Sequence, residues 1–251
     1  MGKAYLFERD EWEFILAQGQ VADIVLPVLM AVEPKDQSGL TEPGMEAANE
    51  VPRREPQEIA VSLIERSILE KAEEEGKIRF CPETWEMLTI LQNAKAALRF
   101  QGNLRKTPMV LCYVLADRAL TLSLDEKGNG SILRAELLNA SEAFSCLKDF
   151  SFMEDFQAGE ETEMPSEADA EPEPLDKAHF PLLSEPVEGL MEREDVLFVA
   201  DRFGRGEAFP SMRLSVVSTP EGRKLSVSDK EQLLIRDYRL QVLGEFLREM
   251  A

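Results

Sequence analysis

Residues 109–116 (MVLCYVLA) set the strongest constraint on how this chain folds. They are rich in β-formers and nearly all apolar, the pattern of a central strand covered on both faces. With 251 residues the chain is long enough to supply both covers, as one large core or two small ones. The flanking segments alternate. Residues 97–101 set Leu98 and Phe100 between polar neighbours, residues 119–124 alternate again, and residues 132–138 continue the meander. Between the last two lies 125–130 (DEKGNG), a hairpin loop with two glycines to absorb positive φ.

Helical spacing appears on both sides of this block. Residues 9–18 carry Trp12, Ile15 and Leu16 and stop at Gly19, with a second short helix expected beyond it. Ile59, Ala60, Leu63, Ile64, Ile68, Leu69 and Ala72 predict one helix over 57–72, with Gly76 as its C′ residue. Pro82 suits the first turn of another helix, whose buried side is Trp85, Leu88, Ile90 and Leu91. Asn139, with Glu142 three residues on, predicts a helix after the meander.

The last third repeats this order. Strands are expected at 196–200, 212–218 and 223–227, with Pro220-Glu221-Gly222 as the tight turn. Ser228 with Glu231 forms an S-x-x-E box, which predicts a long C-terminal helix through Leu233, Leu234, Tyr238, Leu240, Val242, Leu243, Phe246 and Leu247. The fold class is therefore α+β, a mostly antiparallel sheet with flanking helices built as quasi-two-fold duplicated units. The expected organisation is an N-terminal half at 1–153, a linker at 154–177 and a C-terminal half at 178–251, with one continuous domain as the alternative.

Charge narrows the partners. The net charge is −20, and residues 154–177 hold ten acidic side chains with no basic one before Lys177. Few apolar groups there offset the cost of ordering, so a disordered linker is expected. Residues 33–56, rich in Pro, Gly and Glu, read as a surface loop. An acidic chain repels the phosphate backbone and anionic membranes, which leaves another protein as partner, with no nucleic acid and no membrane. Cys81, Cys112 and Cys146 are odd in number and show no CxxC spacing, as suits a reducing, cytoplasmic location. No uninterrupted apolar segment reads as a signal peptide.

Catalytic readings are weak. The single histidine, His179, borders the acidic segment, and Ser–His or Cys–His chemistry needs a base held in a rigid shell. The GxG within residues 201–206 has no strand-to-helix context, and neither a GxxxxGK[ST] loop nor a GxSxG elbow is present. No cofactor or metal is expected, and the protein is read as a non-enzyme. Paired carboxylates remain the one enzymatic alternative. The candidate partner-binding residues are Phe203, Arg205 and Phe209, in a loop where aromatics sit among glycines.

The order of elements resembles the EspG family of type VII secretion chaperones. The matching segments are PQEIAVSLIERSILEKAEEEGKI, CPETWEMLTILQNAKAALRF, VLADRALTLSLDEKGNGSI and the closing RLSVVSTPEGRKLSVSDKEQLLIRDYRLQVLGEFL. The likeness lies in order and spacing and covers nearly the whole chain apart from residues 33–56 and 154–177. It implies a quasi-two-fold α+β fold and a cytosolic chaperone that keeps a helical secretion substrate soluble. In that family the substrates are helical PE–PPE heterodimers gripped by a loop and sheet surface. The acidic insertion departs from the family pattern. Read from the residues alone, the rival is an acidic immunity or inhibitor protein that blocks a basic toxin.

Overall fold

The structure is a computed structural model that describes residues 3–21, 54–72, 77–102, 109–125, 132–140, 180–205, 207, 209–239, 243 and 245. In chain order the elements are β1 (Lys3–Phe7), α1 (Arg9–Gln18), α2 (Pro56–Glu65), β2 (Leu69–Lys71), β3 (Ile78–Phe80) and α3 (Pro82–Asn93). They continue with β4 (Ala96–Gly102), β5 (Val110–Leu115), β6 (Arg118–Asp125), β7 (Ile132–Asn139), α4 (Val187–Leu190), β8 (Val196–Gly204), β9 (Met212–Thr219), β10 (Gly222–Asp229) and β11 (Leu233–Asp237). Nine strands form one sheet in the order β1-β7-β6-β5-β4-β8-β9-β10-β11, every pairing antiparallel, while β2 and β3 make a separate hairpin. The mostly antiparallel α+β fold expected from the sequence is present.

Strand periodicity sorts the core into two layers. On one face Trp12 and Ile15 of α1, Ile59 and Leu63 of α2, and Met87, Leu88, Ile90 and Leu91 of α3 pack on Phe7, Ala97, Leu111, Tyr113, Leu122, Ala135 and Phe203. The other face gathers Leu98, Phe100, Cys112, Phe198, Leu214, Val216, Leu225 and Val227 with Tyr238 and Leu243. β5 contributes Leu111 and Tyr113 to the first layer and Val110 and Cys112 to the second, so MVLCYVLA is the doubly covered strand its composition demands. The two halves of the sequence meet where β4 pairs with β8, from Ala96↔Gly204 to Gly102↔Phe198.

Three expectations need correction. The helix predicted over 57–72 ends at Glu65, because Ser67 takes φ 56°. Ile68 N–H then donates to Leu63 O at 2.9 Å and Ser67 N–H to Ile64 O at 3.0 Å, a Schellman closure. Ile68 and Leu69 are consequently buried from the hairpin side rather than along a helix. The helix predicted from Ser228 is instead the tail of β10, a turn, and β11. Asp229 Oδ1 accepts from Glu231 N–H and Gln232 N–H, both at 2.8 Å, and Leu233 pairs back on Ser228. Beyond Arg239 the described residues Leu243 and Glu245 are helical, with Leu243 N–H on Arg239 O at 2.9 Å. The third correction is on α3, where Trp85, expected on the buried side, is exposed. At the N-terminus β1 pairs with β7 and forms one edge of the sheet.

The loop at 33–53, the turn at 126–130, the helix after Ala140, His179, Cys146 and the acidic segment 154–177 lie outside the described residues. Cys81 and Cys112 are free thiols and buried. Among the described residues no helix is long and apolar enough to cross a membrane.

Candidate protein-binding site

The three residues singled out by sequence fall on one connection but do three different jobs. Phe203 belongs to β8, not to a loop. It is 4% exposed in the helix-side core and lies 5.0 Å beneath the guanidinium of Arg99. Arg205 follows the end of β8 and donates to the carbonyls of Gln92 and Ala94, where α3 runs out of intrahelical donors. A cation at that helix end also complements the macrodipole. Phe209 is 80% exposed, the largest exposure among the large apolar side chains of the described residues.

The connection that carries Phe209 is fixed at both ends. On the β8 side Arg205 N–H donates to Lys95 O at 3.2 Å, and Gly204 N–H donates to Glu207 Oε2 at 2.7 Å. That backbone donor is the main reason the Glu207 carboxyl is held below the usual carboxylate range. On the β9 side Ser211 N–H donates to Arg202 O at 2.8 Å, and Arg202 Nη1 donates to Ser211 Oγ at 3.1 Å. An exposed aromatic on a loop with fixed ends offers contact area at low ordering cost.

Behind this connection runs a buried ionic row. Register places Arg99, Asp201, Arg213 and Ser228 side by side on β4, β8, β9 and β10. Asp201 is 0% and Arg213 2% exposed. Arg213 grips Asp201 through Nε at 2.7 Å and Nη2 at 3.0 Å, and Arg99 Nη2 reaches Asp201 Oδ2 at 2.7 Å. Arg213 Nη1 donates to the carbonyls of Leu182 and Glu185, both at 2.7 Å, and Ser228 Oγ accepts from Leu183 N–H at 3.2 Å. The chain at 180–186 is thereby strapped to the sheet, between buried Phe180 and the α4 cluster of Val187, Leu190, Val196 and Val199. Sequence reasoning took residues 201–206 as loop and missed this row. Its signal was the i, i+2 spacing of Asp201 and Phe203 within a strand, hidden by the glycines that follow.

Elsewhere Trp85 and Val61 are exposed on α3 and α2, and Phe80 stacks at a tilt on Trp85, ring centroids 6.3 Å apart. The Cys81 thiol is pushed up by burial and by Glu70, whose Oε1 it meets at 3.6 Å, an environment that suppresses the nucleophilic thiolate. Among the described residues no three metal-ligating side chains converge. The sequence matches no protein-family model and no curated protein.

Proposed function

We propose that this protein acts by binding another protein, as a cytosolic chaperone or adaptor of EspG-like type, and not by catalysis. The observation that carries the reading is Phe209, four-fifths exposed on a connection pinned by Arg205, Glu207 and Ser211. Exposed aromatics on rigid supports are the residues that dominate interface energetics. The partner in this reading is helical and apolar, an export substrate kept soluble in the cytosol. Two meanders, β4 to β7 and β8 to β11, meet through their first strands. In the proposed architecture a local two-fold axis relates them and the binding loop belongs to the second.

The test is affinity capture from native cytosol at low and high salt, with wild type beside Phe209→Ala. The chaperone reading expects a salt-resistant helical partner whose affinity falls about 10- to 100-fold on substitution, as for a hot-spot aromatic, at unchanged Tm. Ten carboxylates in residues 154–177 favour a second reading, immunity against a basic toxin. It expects a basic partner that is lost at high salt and indifferent to Phe209. A partner retained equally by Phe209→Ala at high salt defeats both.

A further inference from the structure

The strap at 180–186 is attached in an unusual way. Its turn closes through Glu185 N–H on Leu182 O at 3.1 Å and Leu182 N–H on Glu185 Oε1 at 2.7 Å. The sheet touches this turn through main-chain atoms. Arg213 Nη1 takes the carbonyls of Leu182 and Glu185, the first and fourth residues, and Ser228 Oγ takes the N–H of Leu183, the second. The turn's own side chains contribute little, for Leu182 is 43% exposed, Ser184 and Pro186 are exposed, and Leu183 and Glu185 are half-buried. Apolar anchoring sits on either side of the turn, at Phe180 and Val187, and not within it.

The sheet beside these anchors also holds hydroxyls without hydrogen-bond partners. Ser215 and Ser226 face each other across β9 and β10, in the row next to Arg213 and Ser228. Both are buried, and neither hydroxyl has a hydrogen-bond partner. Buried hydroxyls ordinarily find one. Two polar groups left over, beside two that read main chain, describe a surface with more capacity for a backbone ligand than its present occupant uses.

We propose that this part of the sheet is a receptor for a β-turn, filled from within by the chain's own 182–185 turn and open to a turn of the same chemistry on a partner protein. The ligand it takes has converging carbonyls at positions i and i+3 and a free N–H at i+1. Side-chain identity within the turn is secondary, because no contact at the receptor reads it. Arg213 stays paired with Asp201 during the exchange, so only the hydrogen bonds to the turn are traded. The site is separate from Phe209 and goes beyond the reading built on it.

Two measurements on the full chain test the proposal. In hydrogen exchange, the Leu183 amide should exchange at least about a hundredfold faster than those of Leu214 and Val216, as local opening requires. Equal protection overturns it. In anisotropy, a labelled synthetic peptide of residues 179–190 should bind saturably, while the same peptide with Leu183→Pro, which keeps the turn but removes the N–H that Ser228 takes, should bind at least about tenfold more weakly. Locking the internal turn through Leu183→Cys with Ser228→Cys should weaken that binding at least about tenfold in the oxidised form relative to the same variant in its reduced form. Absence of saturable binding, or binding indifferent to the closed lock, overturns it as well. Run in the Phe209→Ala background, the peptide titration is expected to be unchanged, so failure of the Phe209 reading and failure of this one are distinguishable.

Discussion

Among the described residues three non-glycines hold left-handed backbone, Gln20 at φ 53°, Ser67 at φ 56° and Ala116 at φ 55°. The first two close α1 and α2 in the position where glycine is usual, and Ala116 turns β5 into β6. A Cβ in this region costs roughly 1 kcal/mol. Ser67→Gly and Ala116→Gly are therefore expected to stabilise by about 0.5–1 kcal/mol each, a rise of about 2–4 °C per kcal/mol in a thermal melt. Gly222 is the opposite case, with φ 119° in the β9–β10 turn, and Gly222→Ala should lower stability by about 1 kcal/mol or more. Asp201 is fully buried and holds two guanidinium groups. Removing it leaves two guanidinium groups in the row without their carboxylate, so Asp201→Ala should cost about 3–5 kcal/mol by denaturant titration.

At the scale of elements, α1 and α2 are joined by a polar clasp. Buried Glu11 accepts from Glu8 N–H at 3.1 Å, Ser62 Oγ at 3.1 Å and Arg66 Nη1 at 2.7 Å. Arg54 forks onto Asp10 at 2.8 and 2.6 Å, and this hydrogen bonding is the main reason the Asp10 carboxyl titrates below its usual range. Because the folded value is the lower one, the stabilisation is present above about pH 4 and is lost as the pH falls through the folded value. Asp10→Asn should accordingly be less stable than wild type at neutral pH, and the difference should shrink as the pH falls below about 4 in urea titrations.

Elements were legible in the sequence where one rule dominated. α1, most of α3 and the strands from β4 to β10 follow from periodicity, because their apolar residues face a single layer or, in β4, β5, β6 and β8, alternate between two. The failures arose where tertiary demand overrode local pattern. Ser67 gives no glycine signal, so the helix predicted over 57–72 hid a break and a hairpin. Ser228 and Glu231 spell a helix start, yet β10 already had Ser228 in its ladder and the apolar pair Leu233 and Leu234 was taken up by the next strand. At the candidate site Phe209 was legible as a loop aromatic. Arg205 was legible only by its place in the same loop, and nothing in the sequence announced its hydrogen bonds to the carbonyls that end α3.

Over the whole molecule the charge is segregated. The described residues hold 25 acidic and 20 basic side chains, against 48 and 28 in the full sequence, so most of the net −20 lies outside the described fold. Replacing the ten carboxylates of residues 154–177 by Ser and Gln should leave the melting temperature within about 2 °C. It should flatten the salt dependence of any association with a basic partner, measured as the slope of log Kd against log ionic strength.

The seam between β4 and β8 has a consequence in time. Arg99 and Asp201, neighbours across it, are 102 residues apart in the chain. At about 5–20 residues per second, synthesis completes β4 roughly 5–20 s before β8 exists. For that interval the first meander leaves the ribosome with an open edge along Leu98 and Phe100, the kind of edge that pairs with whatever strand arrives first. The Arg99–Asp201–Arg213 row then works as a proof of delivery. With β8 slipped by one residue, Ala200 or Arg202 stands opposite Arg99 in place of Asp201, so the misregistered seam closes without its buried ion pair.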